Sequence, residues 1–229
     1  MQNIAFEMHL SETAFLLQHD ETFTLRWFTP KREIEMCGHA TMATAHVLWE
    51  TGKVEASRII EFETRSGILP VKKVGTALEM KFPIHRHALA DFSPKLISAF
   101  KVVPKYVYTF DQRLLIEVDE EEMVLNLEPD FRKLKECHER GVVITSRSNS
   151  GKYDFVSRYF APWDGIDEDP VTGATHSCLG PYWSYKLKKK ELNAYQASPR
   201  GGYLKLRVEE DRVYVAGNAI TIYEGTIQI

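Results

Sequence analysis

Arg26-Trp27-Phe28-Thr29-Pro30 is answered further along the chain by Arg158-Tyr159-Phe160-Ala161-Pro162, and the residues after each block are alike. After the first come acidic residues at 33–35, then Cys37-Gly38-His39-Ala40-Thr41 and a helical pattern carrying Trp49. After the second come acidic residues within 164–169, then Thr172-Gly173-Ala174-Thr175-His176 and a helical pattern carrying Trp183. A short insertion in the second copy brings Gly38 opposite Gly173. The spacing far exceeds the roughly 20–50 residues of a solenoid repeat, so the pattern reads as two related halves facing each other. A glycine turn that opens a helix leaves backbone N–H groups unpaired at the positive end of the helix dipole. Such a turn holds a carboxylate or a developing oxyanion. Two of them, facing, would grip one small anion in a cleft between the halves.

Around these blocks the chain is rich in strand signals. Thr22–Phe28, Tyr106–Phe110 and the segments 59–64, 78–82, 114–118 and 203–208 mix β-branched or aromatic residues with polar ones near period two. Runs at 212–216 and 219–223 flank Gly217-Asn218, a hairpin signal. Helical patterns cover Gln2–Met8, 39–50 before Gly52, Pro94–Phe100, 130–140 before Gly141, and 176–187. Many strands and few helices, without a regular alternation, predict an α+β fold.

The 229 residues suffice for a buried core, and 44% hydrophobic with 27% charged is ordinary for a soluble globular protein. A net charge of -3 and a pI of about 6.3 argue against a nucleic-acid partner. The lysine-rich stretch 186–190 reads as a solvated helix end. No apolar stretch approaches the ~18 residues that span a bilayer, and no signal-peptide pattern opens the chain. Cys37, Cys137 and Cys178 are scattered and odd in number, which disfavours a disulfide framework or zinc site and suits a reducing cytoplasm. His85-Arg86-His87 lacks the neighbours of a metal set, the acidic run 119–122 reads as a solvated turn, and no phosphate-binding glycine motif occurs. No metal, cofactor or membrane partner is expected.

The ordered motifs resemble those of the PhzF-like (phenazine biosynthesis-like) isomerase family, related in fold to diaminopimelate epimerase. The likeness begins in the opening helix and Leu10-Ser11-Glu12-Thr13, and continues through Arg26 to Pro30, Cys37 to Thr44 and the second block at Arg158. It resumes in Glu168-Asp169-Pro170-Val171-Thr172-Gly173, Arg200-Gly201-Gly202 and Glu224-Gly225-Thr226. The resemblance implies two pseudo-symmetric halves, each a β-barrel-like sheet around a central helix. The expected division is 1–84, completed by a C-terminal strand over 217–229, and 85–216. It also implies a proton-moving isomerase of a small carboxylate-bearing substrate, with Glu12 as acid/base and His39 and Asp169 beside it. Gly38, Gly173 and Ala174 would cradle the substrate, and family habit suggests a homodimer; Arg200 and Gly201 read equally as a carboxylate anchor and as part of an ordinary turn.

By residue type alone, Glu12 is an exposed residue at a strand start, His39 a capping histidine, and Asp169 a turn residue before proline. A free glutamate titrates near ~4.3, so burial near Asp169 is expected to raise Glu12 to make it a useful base. A two-thiol racemase is a rival reading. Cys37 suits its first thiol, but Pro170 falls where the second is expected, so Cys37 reads as a buried small residue. A non-catalytic interaction module on the same fold is the other rival, which a large apolar patch over an occluded cleft would favour. Two departures from the family stand out. The family's opening strand and Gly-Asn-Pro turn are not in this sequence, which is expected to leave a strand edge unpaired. Ala174 stands where many members carry serine.

Overall fold

The computed structural model describes residues 1–137 and 141–227. Its elements run α1 (Gln2–Met8), β1 (Thr13–His19), β2 (Thr22–Phe28), β3 (Glu33–Ile34), α2 (Gly38–Glu50), β4 (Ile60–Thr64), β5 (Gly67–Val74) and β6 (Ala77–Pro83). They continue with β7 (Ala88–Leu89), α3 (Pro94–Phe100), β8 (Tyr106–Phe110), β9 (Arg113–Glu117), α4 (Glu121–Leu125) and α5 (Phe131–Lys135). The remainder is β10 (Val142–Arg147), β11 (Phe155–Ala161), β12 (Ile166–Asp169), α6 (Gly173–Leu187), β13 (Glu191–Gln196), β14 (Gly202–Val208) and β15 (Arg212–Gly217).

One continuous sheet winds through the chain in the order β1-β2-β4-β5-β6-β15-β14-β13-β11-β10-β9-β8-β7, with β3 on β2 and β12 on β11. Helix α2 packs on β1, β5 and β6, and α6 packs on β6, β13, β14 and β15. Each helix is thus wrapped by one stretch of the curled sheet, an α+β architecture of the diaminopimelate epimerase type. β2 shows why the wrapping works. Phe23, Leu25 and Trp27 alternate inward at period two and are buried. β11 is buried along its whole length, Ser157 and Arg158 included, so it shows no alternation.

The two copies read from the sequence carry the same internal brace. Arg26 grips Glu33 through Nε–Oε1 at 2.8 Å and Nη2–Oε2 at 2.9 Å. Arg158 grips Glu168 through Nε–Oε1 at 2.7 Å and Nη2–Oε2 at 2.8 Å. Each guanidinium also lies over the phenylalanine two residues on, at 5.3 Å for Phe28 and 5.2 Å for Phe160. Register completes the match: Phe28 pairs with Glu33 and Phe160 with Glu168. Cys37 then caps α2, and Thr172 caps α6. The counterpart of Cys37 is therefore Thr172 and not Pro170. The expected position was displaced because the insertion lies between the paired strands, ahead of Glu168.

Several sequence expectations need adjustment. Residues 219–223 form no strand: Ile220 and Ile222 are exposed, and among the described residues no strand pairing extends past Gly217 in β15. The helix expected over 130–140 is the short α5, started by Asp130 accepting from the backbone N–H groups of Arg132 and Lys133; positions 138–140 lie outside the described residues. β5 escaped the strand reading because Pro70 interrupts it, though Pro70 still stands opposite Glu61. The lysine-rich end of α6 is solvated, with Lys186, Lys188, Lys189 and Lys190 all exposed, and two of these lysines also make contacts. Lys186 pairs with buried Glu117 and lies over the rings of Tyr106, Tyr182 and Trp183, while Lys189 pairs with Asp154. No helix among the described residues is long and apolar enough to cross a membrane.

Candidate active site

Helices α2 and α6 meet end to end. A methyl group placed on Gly38 would fall 3.0 Å from Phe82 Cζ and 3.7 Å from Gly173 Cα, and one on Gly173 would fall 3.4 Å from the same Phe82 atom. Two helix N-termini thus converge behind one buried ring. Neither cap residue supplies a side-chain hydrogen bond to its helix. Their first-turn N–H groups and dipoles are left facing the space in front.

That space is a cleft of about 370 Å³, whose walls include Glu12, Gly38, His39, Asp169, Gly173 and Ala174. Arg200 and Gly201 do not belong to its lining. Arg200 is exposed, and it bears on the site only through its charge, which favours the ionised form of Asp169.

Glu12 comes from the turn between α1 and β1. His9 closes α1 in the left-handed conformation at φ 49°, and Gln2 Nε2 ties the helix to the carbonyls of Thr29 and Pro30 at 2.9 and 3.2 Å. His39 rides in the first turn of α2. Asp169 ends β12, opposite Tyr159. By the register of the two copies, Asp169 occupies the place held by Ile34 in the first, because Trp27 pairs with Ile34. The symmetry is broken at the position that carries the carboxylate.

These three segments bring His39 between two acids. His39 Nε2 lies 2.9 Å from Glu12 Oε2, and Nδ1 lies 3.9 Å from Asp169 Oδ1. Ser11 Oγ stands 3.4 Å from Nε2, and Cys37 Sγ sits 3.8 and 3.7 Å from Nδ1 and Nε2. Burial pushes Asp169 up, His39 pulls it back and Glu12 raises it again, to about 6. Burial also pushes Glu12 up, yet the hydrogen bond and charge of His39, aided by Ser11 and Cys37, outweigh it and bring Glu12 below its ordinary value. Burial works against protonation of His39, but Cys37, Asp169 and Glu12 hold it well above its ordinary value. The expectation of a raised Glu12 thus meets a different arrangement. An imidazole stands between the acids, and Asp169 is the one raised.

Asp169 Oδ1 is buried without a donor in hydrogen-bonding geometry, and the buried Glu12 Oε2 has only His39 Nε2 beside it, at 2.9 Å. Buried acceptors of this kind call for a functional explanation. The other oxygen of Asp169 is satisfied: Oδ2 accepts from the Thr172 hydroxyl at 2.5 Å. Thr172, Gln196 and Phe82 escaped the sequence reading. Thr172 could have been found by matching the copies through Glu33 and Glu168, whereas Gln196 lies on a distant strand with no motif around it.

Glu12, Cys37 and His39 present donor atoms all within 4.8 Å, a set that could hold a metal ion. Burial keeps the Cys37 thiol up at about 11, and His39 is held protonated, so metal binding would first have to remove both protons. The donor set suits proton traffic better.

The curled sheet around paired central helices, with acids in the cleft between their N-termini, defines an isomerase of the epimerase-like fold. Residues 1–225 match the family model described as phenazine biosynthesis-like protein, and the chain belongs to that family. An uncharacterised isomerase of Halalkalibacterium halodurans is 47% identical over 223 residues, covering 97% of this chain and 84% of that protein. The crystal structure of a PhzF family protein from Enterococcus faecalis superposes with a TM-score of 0.92 at 40% identity, over 100% of this chain and 86% of that one. A predicted epimerase from Pseudomonas aeruginosa, 18% identical with a TM-score of 0.67 over 97% of this chain and 88% of its own, shares the fold.

Proposed function

We propose that the protein isomerises a small carboxylate-bearing substrate by moving a proton, without a cofactor, and that Glu12 is the acid/base. The observation that carries this reading is the placing of His39 between two buried acids in the cleft wall, with Nε2 2.9 Å from Glu12 Oε2 and Nδ1 3.9 Å from Asp169 Oδ1. The substrate's carboxylate sits against the N–H groups at Gly38, Gly173 and Ala174, where two helix dipoles favour negative charge. Its arrival adds a negative charge beside Glu12 and raises the proton affinity that His39 lowers in the free protein. Glu12 then takes a proton from one carbon, the double bond shifts, and the proton is returned at another carbon. Nothing is gained or lost, and the product is an isomer. His39 and Asp169 hold charge and proton in register with Glu12, so the three titrate as a coupled set. The cleft is open and lined by charged groups including Arg32, Lys81, Arg113 and Asp111. That lining suits an enzyme better than an interaction module. Without a second thiol opposite Cys37, a two-thiol racemase is disfavoured.

Proton NMR in heavy water tests the reading, following deuterium uptake into a panel of small unsaturated carboxylic acids and amino acids. The wild-type protein is expected to exchange at least one of them, and Glu12→Gln to slow that exchange by about 10²-fold or more. Exchange that persists undiminished in Glu12→Gln would remove Glu12 from the chemistry.

A further inference from the structure

Behind Asp169 lies a buried side chain that the proton-transfer scheme does not use. Gln196, at the end of β13, is fully buried and reaches the Asp169–Thr172 turn from beneath; its Cα partner across the parallel pairing is Ser157 on β11. Its amide contacts three groups there. Oε1 accepts from the Thr172 backbone N–H at 2.8 Å, and Nε2 donates to the Asp169 carbonyl at 2.8 Å and to Thr172 Oγ1 at 3.1 Å.

The last of these contacts sets a direction. A hydroxyl has one proton to give. With Nε2 donating into Thr172 Oγ1, that proton is committed to Asp169 Oδ2. Oδ2 thereby holds a donor, and Oδ1 is left without one, turned toward His39 at 3.9 Å. Flipping the amide would set Nε2 against the Thr172 N–H and Oε1 against the Asp169 carbonyl, two clashes of like groups, so the orientation is fixed by the backbone. His176 secures the same turn, its Nδ1 lying 2.8 Å from the Thr172 carbonyl. Burial holds His176 down at about 4, so it is neutral at neutral pH and Nδ1 donates.

We propose that Gln196 is a positioning residue that acts through the Thr172 hydroxyl, fixing Oδ1 as the oxygen of Asp169 that carries and delivers its proton. The proposal rests on the reading of Asp169 as a member of the proton-transfer site. The relay has a second consequence. A donor aimed at Oδ2 favours the ionised acid and restrains the rise that burial imposes. The other charged or titratable groups acting on Asp169 are His39 on α2, Glu12 before β1, Arg200 after β13 and Tyr159 on β11. Cutting the relay removes none of these groups.

Titration of the full-length protein carrying ¹³C at the aspartate carboxyls, followed by NMR, tests this without any substrate. Thr172→Val keeps nearly the same shape and removes the hydroxyl; it is expected to raise the Asp169 midpoint by about one to two pH units, the worth of a hydrogen bond to a charged group. Thr172→Ser restores the donor and is expected to return the midpoint to the wild-type value. Gln196→Leu leaves the hydroxyl uncommitted and is expected to shift the midpoint in the same direction as Thr172→Val. If Gln196→Leu does not fold, Thr172→Val and Thr172→Ser decide the matter. A midpoint unmoved in either folded variant, Gln196→Leu or Thr172→Val, overturns the relay. Because the titration is independent of turnover, it can succeed while every substrate fails to exchange, and it can fail in a protein that exchanges normally.

Discussion

Asp169 keeps its carboxyl in a place where ionisation is costly. Only 6% of the residue is exposed, and its midpoint is raised from 3.8 to about 6. Between those two values the folded chain binds more protons than the unfolded one, so Asp169's contribution to stability falls as pH rises through that window. The full penalty stands above about pH 6 and vanishes below about pH 4. Asp169→Asn is therefore expected to melt a few degrees above the wild type at pH 7.5 and level with it at pH 3.5, as scanning calorimetry would record. A variant less stable than wild type at both pH values would show that the ionised acid contributes net stability. The expected gain in stability, paired with lost activity, is the usual mark of a strained functional group.

Among the elements, the meeting of α2 and α6 is the tightest point of the site. Gly38 is held there by proximity, since its backbone is ordinary helix and any residue could adopt it. A methyl group at 3.0 Å from Phe82 Cζ forces the ring or the helix start to yield. Phe82 is buried in the core with Met80 and Val215, so its ring has little room to move. Overpacking of this kind costs about 1–3 kcal/mol. Gly38→Ala is expected to lower stability within that range and to slow substrate exchange by at least about 10-fold, since small misplacements at a site are costly to the rate. Adding Phe82→Leu is expected to recover part of both losses. Urea unfolding and exchange rates for the two single variants and the double variant would measure that coupling, and strict additivity would mean that the ring is not what the methyl meets.

At the scale of the molecule, the two copies share a sheet and a core. β6 pairs with β15 along six residues, from Leu78 opposite Gly217 to Pro83 opposite Arg212. One apolar cluster joins Trp27, Leu48 and Phe62 to Phe155, Trp183 and Val215. Across the cleft mouth Arg32 pairs with Asp164, joining the turns that come after the two matched strands, though an ion pair this exposed adds little stability. With the sheet continuous and the larger of the two apolar clusters drawing on both copies, the chain is expected to unfold in one cooperative step, its calorimetric and van't Hoff enthalpies agreeing. Two resolved transitions would show that each half folds as its own unit.

The sequence by itself determined the α+β class and the doubled Arg-x-Phe block with its glycine turn, while Glu12, His39 and Asp169 were singled out only through the family resemblance. These are recorded in local order: strand alternation in Thr22–Phe28, a glycine opening a helix, motif residues adjacent to one another. Local order also misled. Ala219 to Tyr223 reads as the second arm of a hairpin, yet whether a strand forms depends on an available edge, which lies outside its own residues. Tertiary structure alone decided that His39 intervenes between the acids and reverses the expected direction for Glu12. It alone brought Gln196 beneath Asp169. Proton affinities and hydrogen bonds depend on distances of a few ångströms between groups far apart in the chain, and those distances exist only once the curled sheet has brought the helix ends together.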